Sequence, residues 1–316
     1  MDAMKKKLLV IAGPTASGKT ALSIALAKRF GGEVVSADSM QIYRRMDIGT
    51  AKPTFEERDG IPHHMLDVAD PEESFSVARY VDMASACVDD ILARGKMPIV
   101  AGGTGLYIDS LLSGRTFAPF PSGGWRERLQ ARAKSEGIGV LMEELRQIDP
   151  QAAGRLHLND EKRIIRALEV WHETGKTITR HNEETAAIPP RYEGCRIGLN
   201  FAQRSDLWRR IDCRVDEMMA QGLLAEVQSL LRSGIDPGCT SMQAIGYKEL
   251  ADAARGLAPV ETAVEEIKLR SRQYAKRQVT WFRRNNETQW YLWGREPDFT
   301  QALQFATEKI GEMGIG

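Results

Sequence analysis

Three short apolar runs lie in the first hundred residues, and a glycine or an aspartate follows each of them. They occupy residues 8–12, 33–37 and 97–101. Apolar runs of this length, separated by stretches with helical periodicity, are typical of parallel strands that are buried on both faces. Helical periodicity extends over residues 20–30 and 76–94, and glycine ends both stretches. This alternation predicts an α/β domain with a parallel sheet.

After about residue 114 the pattern becomes mostly helical. Prolines and glycines first mark a loop, and the predicted helices then occupy residues 126–136, 140–148, 160–173, 205–231, 247–255 and 260–284. Two further strands are predicted at 196–200 and 289–293, and a loop at 181–194. We therefore predict a core domain formed by residues 1–115 and 195–316, with a helical insertion domain at 116–194.

Composition restricts the class of protein. The chain has 316 residues, of which 43 are basic and 43 acidic, so a uniformly basic surface for nucleic acid is excluded while a local basic face is not. The four cysteines form no CxxC pair and the five histidines no HxH or HxxxH spacing, which argues against a zinc site or a disulfide scaffold. The apolar runs are too short for a signal peptide or a spanning helix, so we predict a cytoplasmic protein without a membrane partner.

The strongest motif follows the first apolar run and matches G-x4-G-K-[ST]. It consists of Gly13, Pro14, Thr15, Ala16, Ser17, Gly18, Lys19 and Thr20. Glycines let the backbone turn its amides towards phosphate oxygens, Lys19 adds a positive charge, and Thr20 is a ligand for Mg²⁺. Because a strand precedes the motif and a helix follows it, we predict a di- or triphosphate site. The fold class is then a P-loop NTPase-like parallel sheet core with a helical insertion domain.

Asp38 follows the second apolar run, at the edge where open α/β sheets bind ligands. The residues alone leave three interpretations of this carboxylate open. It ligates Mg²⁺ beside the phosphate loop, acts as a general base, or caps a turn. The first two interpretations place chemistry at this edge, and the third is purely structural.

The other polar segments are weaker signals. Residues 47–53 are typical of a surface turn, and the glycines at 102–105 indicate either a backbone approach to a ligand or a strand-to-helix turn. His63 and His64 are adjacent and diverge in direction, which favours packing or polar contacts. Residues 267–284 include seven basic residues and no acidic one, which fits either a phosphate-tracking face or a solvated helix face.

Eight stretches together match a known family, in the family's order. They are GPTASGKT (13–20), ADSMQIY (37–43), DIGTAKP (47–53), AGGTGLY (101–107), RIIRALEVWHETGK (163–176), RVDEMMAQGLLAEV (214–227), QAIGYKEL (243–250) and RQYAKRQVTWFRR (272–284). On these stretches the chain resembles the tRNA dimethylallyltransferases, also called tRNA isopentenyltransferases, from residue 8 to about residue 293. The resemblance implies transfer of a dimethylallyl group from dimethylallyl diphosphate to the N6 amine of adenosine 37, next to the anticodon, in tRNAs that read UNN codons. Diphosphate leaves, and no ATP is consumed.

The resemblance also implies catalytic roles. The family places its general base at the position of Asp38, which takes a proton from the adenine amine. The amides of residues 15–20, Lys19, and Mg²⁺ held with help from Thr20 neutralise the leaving diphosphate. Arg214 matches a conserved family arginine and supplies a second cation.

In the family, contacts with the anticodon stem-loop of tRNA correspond to positions in both predicted domains. They are Asp38, Ser39, Met40, Gln41, Thr104, Arg126, Lys162, Arg163, Ile164, Ile165, Arg166, Gln243, Ala244, Ile245, Gly246, Tyr247 and Lys248. Many relatives have Gln-Arg where this chain has Lys162 and Arg163, and the segment before Arg126 is shorter here. The family further implies a monomer, and a target base that flips out of its stack.

Two other kinds of enzyme are alternatives. A nucleotide kinase or other NTPase would use Asp38 to hold Mg²⁺ and would turn over NTP. A prenyltransferase of free adenine nucleotides would have no need for the long basic helical half. An RNA-binding protein with an inactive phosphate loop is disfavoured, because Lys19, Thr20 and Asp38 are all intact.

Overall fold

The computed structural model describes residues 6–114, 117 and 123–314. Within these ranges six strands form one sheet, and every pairing in it is parallel. The strands are β1 (Lys6–Ala12), β2 (Gly32–Ser36), β3 (His63–His64), β4 (Met97–Gly102), β5 (Tyr192–Phe201) and β6 (Gln289–Trp293). Their spatial order is β3-β2-β4-β1-β5-β6. The prediction of an α/β fold with a parallel sheet is confirmed.

Strand β1 lies in the middle of the sheet because its apolar run is covered on both faces. Its residues from Leu8 to Ala12 are all buried. Leu9 is opposite Ile99 of β4 on one side and opposite Cys195 of β5 on the other. Since parallel strands end at the same edge, the loops after β1, β4 and β2 leave the sheet beside one another.

The described ranges also include fourteen helices. In chain order they are α1 (Lys19–Phe30), α2 (Phe55–Arg58), α3 (Val77–Ala93), α4 (Gly105–Ser113), α5 (Trp125–Glu136), α6 (Ile138–Ile148), α7 (Pro150–Ala153), α8 (Glu161–Thr174), α9 (Ile178–Ala186), α10 (Arg204–Ala220), α11 (Leu223–Arg232), α12 (Tyr247–Ala254), α13 (Val260–Phe282) and α14 (Phe299–Glu312). Polar side chains fix several helix starts. Ser76 accepts a hydrogen bond from the amide of Arg79 at the start of α3, and Asp298 accepts one from Thr300 at the start of α14. None of the helices described is both long enough and apolar enough to cross a membrane.

The chain divides into two compact units. We call the unit of Met1–Leu112 and Arg191–Gly316 the core unit, and that of Ser113–Pro190 the helical unit. The sequence analysis placed these boundaries at 115/116 and 194/195. The second boundary comes earlier in the structure because β5 begins at Tyr192, whose side chain is buried.

Each unit has its own hydrophobic core. In the core unit, Leu22 of α1 and Ala306 of α14 pack in a cluster with Leu9 and Ile11 of β1. A second cluster joins the segment around Tyr43 with helices α10 to α13. The helical unit encloses a separate cluster that α5, α6 and α8 supply with leucine, methionine and isoleucine side chains.

Several predicted elements differ from the structure. The single helix predicted at 205–231 is two helices, α10 and α11, because Gly222 adopts a left-handed conformation with φ of 101° between them. The loop predicted at 181–194 contains most of α9, whose start Thr177 caps, and the first residues of β5. The sequence analysis did not predict β3, α4 or α14.

Candidate active site

The phosphate loop after β1 has the backbone conformation that its glycines permit. Gly13 and Gly18 adopt φ values of 152° and 86°, and Ala16 adopts 61°, which is rare for a residue with a side chain. A Cβ atom on Gly13 would lie 2.4 Å from the carbonyl oxygen of Leu199 in β5, so only glycine fits there. The loop leads directly into α1, whose positive N-terminal end faces the same space.

Lys19 is the first residue of α1, and its half-buried side chain lies in an electropositive environment. Its Nζ donates a hydrogen bond to the carbonyl oxygen of Pro14 at 2.7 Å. Burial and the nearby guanidinium of Arg214 lower the pKa of Lys19 to about 7, against an opposing effect of Asp38. Burial also lowers the pKa of Arg214, and Asp38 opposes this effect too. Lys19, Arg214 and Asp38 are therefore close enough to influence one another.

Asp38 lies in the loop after β2 with one carboxylate oxygen engaged and one available. Its Oδ1 accepts hydrogen bonds from the backbone amides of Met40 at 2.9 Å and Gln41 at 3.4 Å. Within the described ranges, no hydrogen-bond donor lies on Oδ2. The interpretation as a turn cap and the interpretation as a functional carboxylate are thus compatible, because the two oxygens serve different purposes.

Thr104 connects this loop to the one after β4. Its backbone amide donates to the carbonyl oxygen of Ala37 at 3.1 Å, and its Oγ1 accepts from the backbone amide of Ser39 at 3.0 Å. The sequence analysis left the glycines around Thr104 open between a ligand approach and a turn. In the structure they form the turn into α4, and Thr104 fixes the position of the Asp38 loop.

Residues 47–53 were predicted to be a surface turn; they form a turn, but Lys52 and Pro53 at its end are buried, so the surface part of the prediction is wrong. The Lys52 side chain is only 3% exposed, and its Nζ makes ion pairs of 2.6 Å with both Asp47 and Asp67. The carboxylate of Glu226 accepts hydrogen bonds from the three successive amides of residues 47–49. A turn fixed in this way forms one wall of a ligand cavity.

The cavity has a volume of about 890 Å³ and lies within the core unit. Lys19, Thr20, Asp38, Gln41, Arg214 and residues 47–53 all line it. Its lining also includes apolar side chains such as Met218 and Ile267. A space of this size, with convergent charged groups and an apolar wall, is typical of a small-molecule site.

The predicted tRNA-contact segment 243–248 divides between the cavity and the protein core. Gln243 and Lys248 are exposed, and residues 243–246 line the cavity. Ala244 and Tyr247 belong to the buried cluster around Tyr43, and the Tyr247 hydroxyl donates a 2.5 Å hydrogen bond to Glu226. The side chain of Tyr247 is therefore part of the scaffold, while Gln243 and Lys248 are accessible to a large substrate.

In the helical unit, the predicted contact residues also divide. Ile164 and Ile165 are buried in its core, so their side chains do not reach solvent. Lys162 is exposed, and Arg163 is 74% exposed and pairs, among the residues that the structure describes, with Asp160, which directly precedes α8. Exposed cations on one helix can bind the phosphates of a polyanion.

Arg126 and Arg166 have a structural role in addition to any contact. Both pair with Glu169, whose side chain is fully buried, at 2.7–2.9 Å. Burial raises the pKa of Glu169, but the hydrogen bonds from Arg126 and Arg166 outweigh it, so this pKa lies below the usual value. The two arginines thus stabilise a charge inside the helical unit.

The sequence analysis missed three residues that support the phosphate loop. Trp293 of β6 donates from Nε1 to the carbonyl oxygen of Ser17 at 2.8 Å, and Arg210 donates from Nε to that of Ala16 at 3.3 Å. Gln278 of α13 accepts from the amide of Thr15 at 2.9 Å. Gln278 lies within the stretch 272–284 that carried the resemblance, but no spacing rule gives such a side chain a role.

The basic stretch 267–284 is partly neutralised by α10. Arg272 pairs with Asp212 at 2.6 Å, and Lys268 pairs with Asp216 at 2.8 Å. Lys276, Arg277 and Arg283 make no ion pair within the described ranges. Helix α13 therefore has some basic residues that form salt bridges with α10 and others that are exposed. This arrangement is intermediate between the phosphate-tracking face and the solvated face that the sequence allowed.

A parallel sheet with a glycine-rich loop after β1 and a carboxylate after β2 defines an α/β fold of the class that typically binds ligands at the carboxyl edge of the sheet. More narrowly, the chain belongs to the IPP transferase family, whose model matches residues 41–285. The resemblance inferred from the eight stretches is confirmed.

Individual relatives cover nearly the whole chain. The protein is 49% identical over 291 residues to the tRNA dimethylallyltransferase of Caldanaerobacter subterraneus, which spans 92% of each chain. It is 46% identical over 313 residues to that of Geobacillus thermodenitrificans, with 98% of this chain and 96% of the relative covered.

Two solved structures are also similar. The tRNA isopentenylpyrophosphate transferase from Bacillus halodurans has 42% identity and a TM-score of 0.72, with 98% of both chains covered. A eukaryotic dimethylallyltransferase that acts on tRNA has 32% identity and a TM-score of 0.82, with 97% of this chain and 80% of the other covered.

Proposed function

We propose that this protein transfers a dimethylallyl group from dimethylallyl diphosphate to the N6 amine of adenosine 37 in tRNAs that read UNN codons, with release of diphosphate. The observation that carries this proposal is the cavity of the core unit. It brings the phosphate loop, the cations Lys19 and Arg214 and the carboxylate Asp38 into one space. The family relationship identifies the protein as a transferase, and these residues supply the chemistry that such a transfer needs.

Asp38 acts on the acceptor. The lone pair of an adenine amine is delocalised into the ring, so the nitrogen becomes a better nucleophile when a base removes its proton. The free Oδ2 of Asp38 takes that proton, while Oδ1 stays bound to the amides of Met40 and Gln41. As the new bond forms between N6 and the allylic carbon, the bond between that carbon and the diphosphate oxygen breaks, and its electron pair leaves with diphosphate.

The phosphate loop acts on the leaving group. Negative charge grows on diphosphate as the allylic carbon separates, and donors that are already in place stabilise it. Lys19 and Arg214 supply two cations, and backbone amides of the loop supply hydrogen bonds. The amide of Thr15 is bound to Gln278, which leaves the amides of residues 16–20 for this role and narrows the predicted range of 15–20.

The residues present fit a Mg²⁺ ion that arrives with the diphosphate. Thr20 is exposed and lines the cavity in the first turn of α1, beside Lys19, which supports a role for its hydroxyl as one ligand of the ion. The described ranges contain no cluster of three or more histidine, cysteine or acidic side chains that would form a protein-only site. Mg²⁺ commonly keeps several waters and takes the rest of its ligands from phosphates and one or two protein groups. When bound, the ion would add positive charge to the leaving diphosphate.

Exposed polar groups in both units support a tRNA acceptor. Gln243 and Lys248 lie at or next to the cavity, and Lys162 and Arg163 form an exposed basic pair on α8. An adenosine must flip out of the anticodon loop to react, at an unstacking cost of a few kcal/mol, and contacts with flanking nucleotides repay that cost. A monomer, as the family resemblance implies, is part of this proposal. A tRNA acceptor implies a cytoplasmic location.

A transfer assay with labelled dimethylallyl diphosphate tests the proposal. Unmodified tRNA that reads a UNN codon is the acceptor, and AMP and the same tRNA with guanosine at position 37 are the controls, all without ATP. We expect label in the first tRNA only. Label in AMP would assign the protein to the free-nucleotide enzymes. ATP hydrolysis without transfer would support the NTPase alternative, and tRNA binding without either reaction would indicate a binding protein.

A further inference from the structure

The buried amide side chain of Gln278 in helix α13 lies between the loops that follow β1 and β4, at the carboxyl edge of the sheet. Gln278 is only 5% exposed. Its Oε1 accepts a hydrogen bond from the backbone amide of Thr15 in the phosphate loop at 2.9 Å. Its Nε2 donates to the carbonyl oxygen of Gly103, after β4, at 2.9 Å. One side chain thus joins the ends of two neighbouring strands.

The two partners determine the orientation of this amide. A backbone N–H only donates and a backbone C=O only accepts, so Oε1 must face Thr15 and Nε2 must face Gly103. The space is also shaped for it, because a Cβ atom on Gly103 would lie 2.2 Å from Nε2. A glycine at position 103 is therefore required by the position of Gln278.

From Gly103 the contacts continue to the catalytic carboxylate. The next residue, Thr104, donates from its amide to Ala37 and accepts from the amide of Ser39. Ala37 and Ser39 flank Asp38 in the loop after β2. The path from Gln278 thus crosses the adjacent strands β1, β4 and β2, with the phosphate loop at one end and Asp38 at the other.

We propose that Gln278 is a positioning residue that sets the distance between the phosphate loop and Asp38. This inference rests on the proposed function, in which the loop holds the donor and Asp38 activates the acceptor. The reacting carbon and nitrogen must approach to about 3–3.5 Å, and a displacement of about 1 Å costs up to about a hundredfold in rate. Gln278 also binds the amide of Thr15, which fixes the loop where it leaves β1.

The anchoring of α13 does not depend on Gln278 alone. The Trp281 Nε1 donates to Asp109 at 2.8 Å, and Arg272 pairs with Asp212 at 2.6 Å. A substitution at Gln278 therefore leaves the helix in place and changes the local connection between the loops. This makes a positioning effect separable from a loss of fold.

Gln278→Leu removes both hydrogen bonds at similar volume. In single-turnover transfer at saturating substrates we expect the rate to fall by about 10- to 100-fold, while KM for dimethylallyl diphosphate and for tRNA changes by less than about threefold. Gln273→Leu, on the exposed side of the same helix, is the matched control and should retain the wild-type rate. An unchanged rate in Gln278→Leu, or a loss seen only in KM or in the unfolding midpoint, would overturn the proposal.

Gln278→Glu provides a second test with a pH readout. When protonated, the new carboxyl group reproduces the amide, since its C=O accepts from Thr15 and its O–H donates to Gly103. When ionised, it has no donor and faces a carbonyl oxygen. We expect the ratio of variant to wild-type rate to rise as the pH falls from 8 to 6. Lys19, Asp38, Arg214 and Tyr274 line the same cavity and are present in both proteins, so the ratio removes the pH dependence that the two proteins share.

A flat ratio, with Gln278→Glu impaired equally at every pH, would contradict the positioning role. Failure of the proposed function would look different. In that case the wild-type protein would transfer no dimethylallyl group to tRNA at any pH, and there would be no wild-type rate with which to compare the variants.

Discussion

The cavity of the core unit and the interior of the helical unit treat buried charge in opposite ways. In the core unit, Lys19 and Arg214 lie together in a cavity, and burial lowers the pKa of each. In the helical unit, the fully buried Glu169 is matched by Arg126 and Arg166. The cavity thus holds two cations that a bound anion would neutralise, whereas Glu169 in the helical unit is already neutralised by Arg126 and Arg166. Cations that only a bound anion can neutralise indicate the reaction site. A buried carboxylate that arginines of the same unit neutralise stabilises the fold instead.

Asp38→Asn should produce the largest effect on the core unit. The asparagine keeps an oxygen for the amides of Met40 and Gln41, so the loop keeps its shape, but it takes no proton. We expect single-turnover transfer to fall by about 10²–10⁴-fold, with tRNA affinity within about threefold of wild type. Filter binding of tRNA is the control. Near-normal transfer by the variant would eliminate the general-base role.

Glu169→Gln tests the other side of the comparison. Two partly exposed guanidinium groups lose a charged hydrogen-bond partner, which should destabilise the helical unit by about 1.5–3 kcal/mol. Hydrogen exchange in α8 should accelerate by about 10- to 150-fold. Glu143→Gln removes a carboxylate that is 60% exposed from its pair with Arg146 and should change stability by less than about 0.5 kcal/mol. Equal effects of the two substitutions would show that burial of the pair has no energetic importance.

The ionisation of Lys19 predicts how affinity for inorganic diphosphate depends on pH. In the free protein the pKa of Lys19 is about 7, and a bound anion raises it by stabilising the ammonium form. The contribution of Lys19 is therefore complete below pH 7 and declines above it, by up to about tenfold per pH unit. Calorimetric titration between pH 6 and 9 measures this decline.

Lys19→Arg is the matched variant, because arginine stays charged throughout this range. Diphosphate itself titrates, but equally in both proteins. The decline attributed to Lys19 is thus the difference between the two pH profiles. Identical slopes would contradict a pKa near 7.

Arg163→Ala should have the smallest effect. This side chain is exposed and its pair with Asp160 is worth little, so stability should not change. We expect tRNA affinity to fall a few-fold and the slope of log K against log salt to decrease by about one. Arg166→Ala should differ by also lowering stability, because it leaves Glu169 with one partner. An unchanged salt slope in Arg163→Ala would show that this arginine does not contact the phosphates of tRNA.

The sequence predicted those parts of the fold whose signals are local. Apolar runs located β1, β2 and β4 because each is buried on both faces. Strand β3 has two residues, too few for any periodicity, and it forms because β2 pairs with it. Helix α14 was missed because small side chains, Ala302 and Ala306, supply much of its buried face.

For the candidate site, the sequence located the groups that belong to a motif and missed those that tertiary contacts recruit. The phosphate loop and Asp38 follow strands, and their chemistry is visible in their order. Gln278 is 263 residues from Thr15 in the chain, so no spacing in the sequence connects them. Residues 47–53 look like a surface turn until the carboxylate of Glu226, 177–179 residues away, binds their amides.

The hydrogen bond from Trp293 to Ser17 has a consequence for how the protein is made. Its partners are 276 residues apart, and Phe299 packs beside Gly18 in the same place. At a translation rate of about 5–20 residues per second, the ribosome synthesises Trp293 about 14–55 seconds after Ser17. During that interval the nascent phosphate loop lacks its support. The phosphate loop thus acquires this part of its support late in synthesis, after nearly the whole chain has been made.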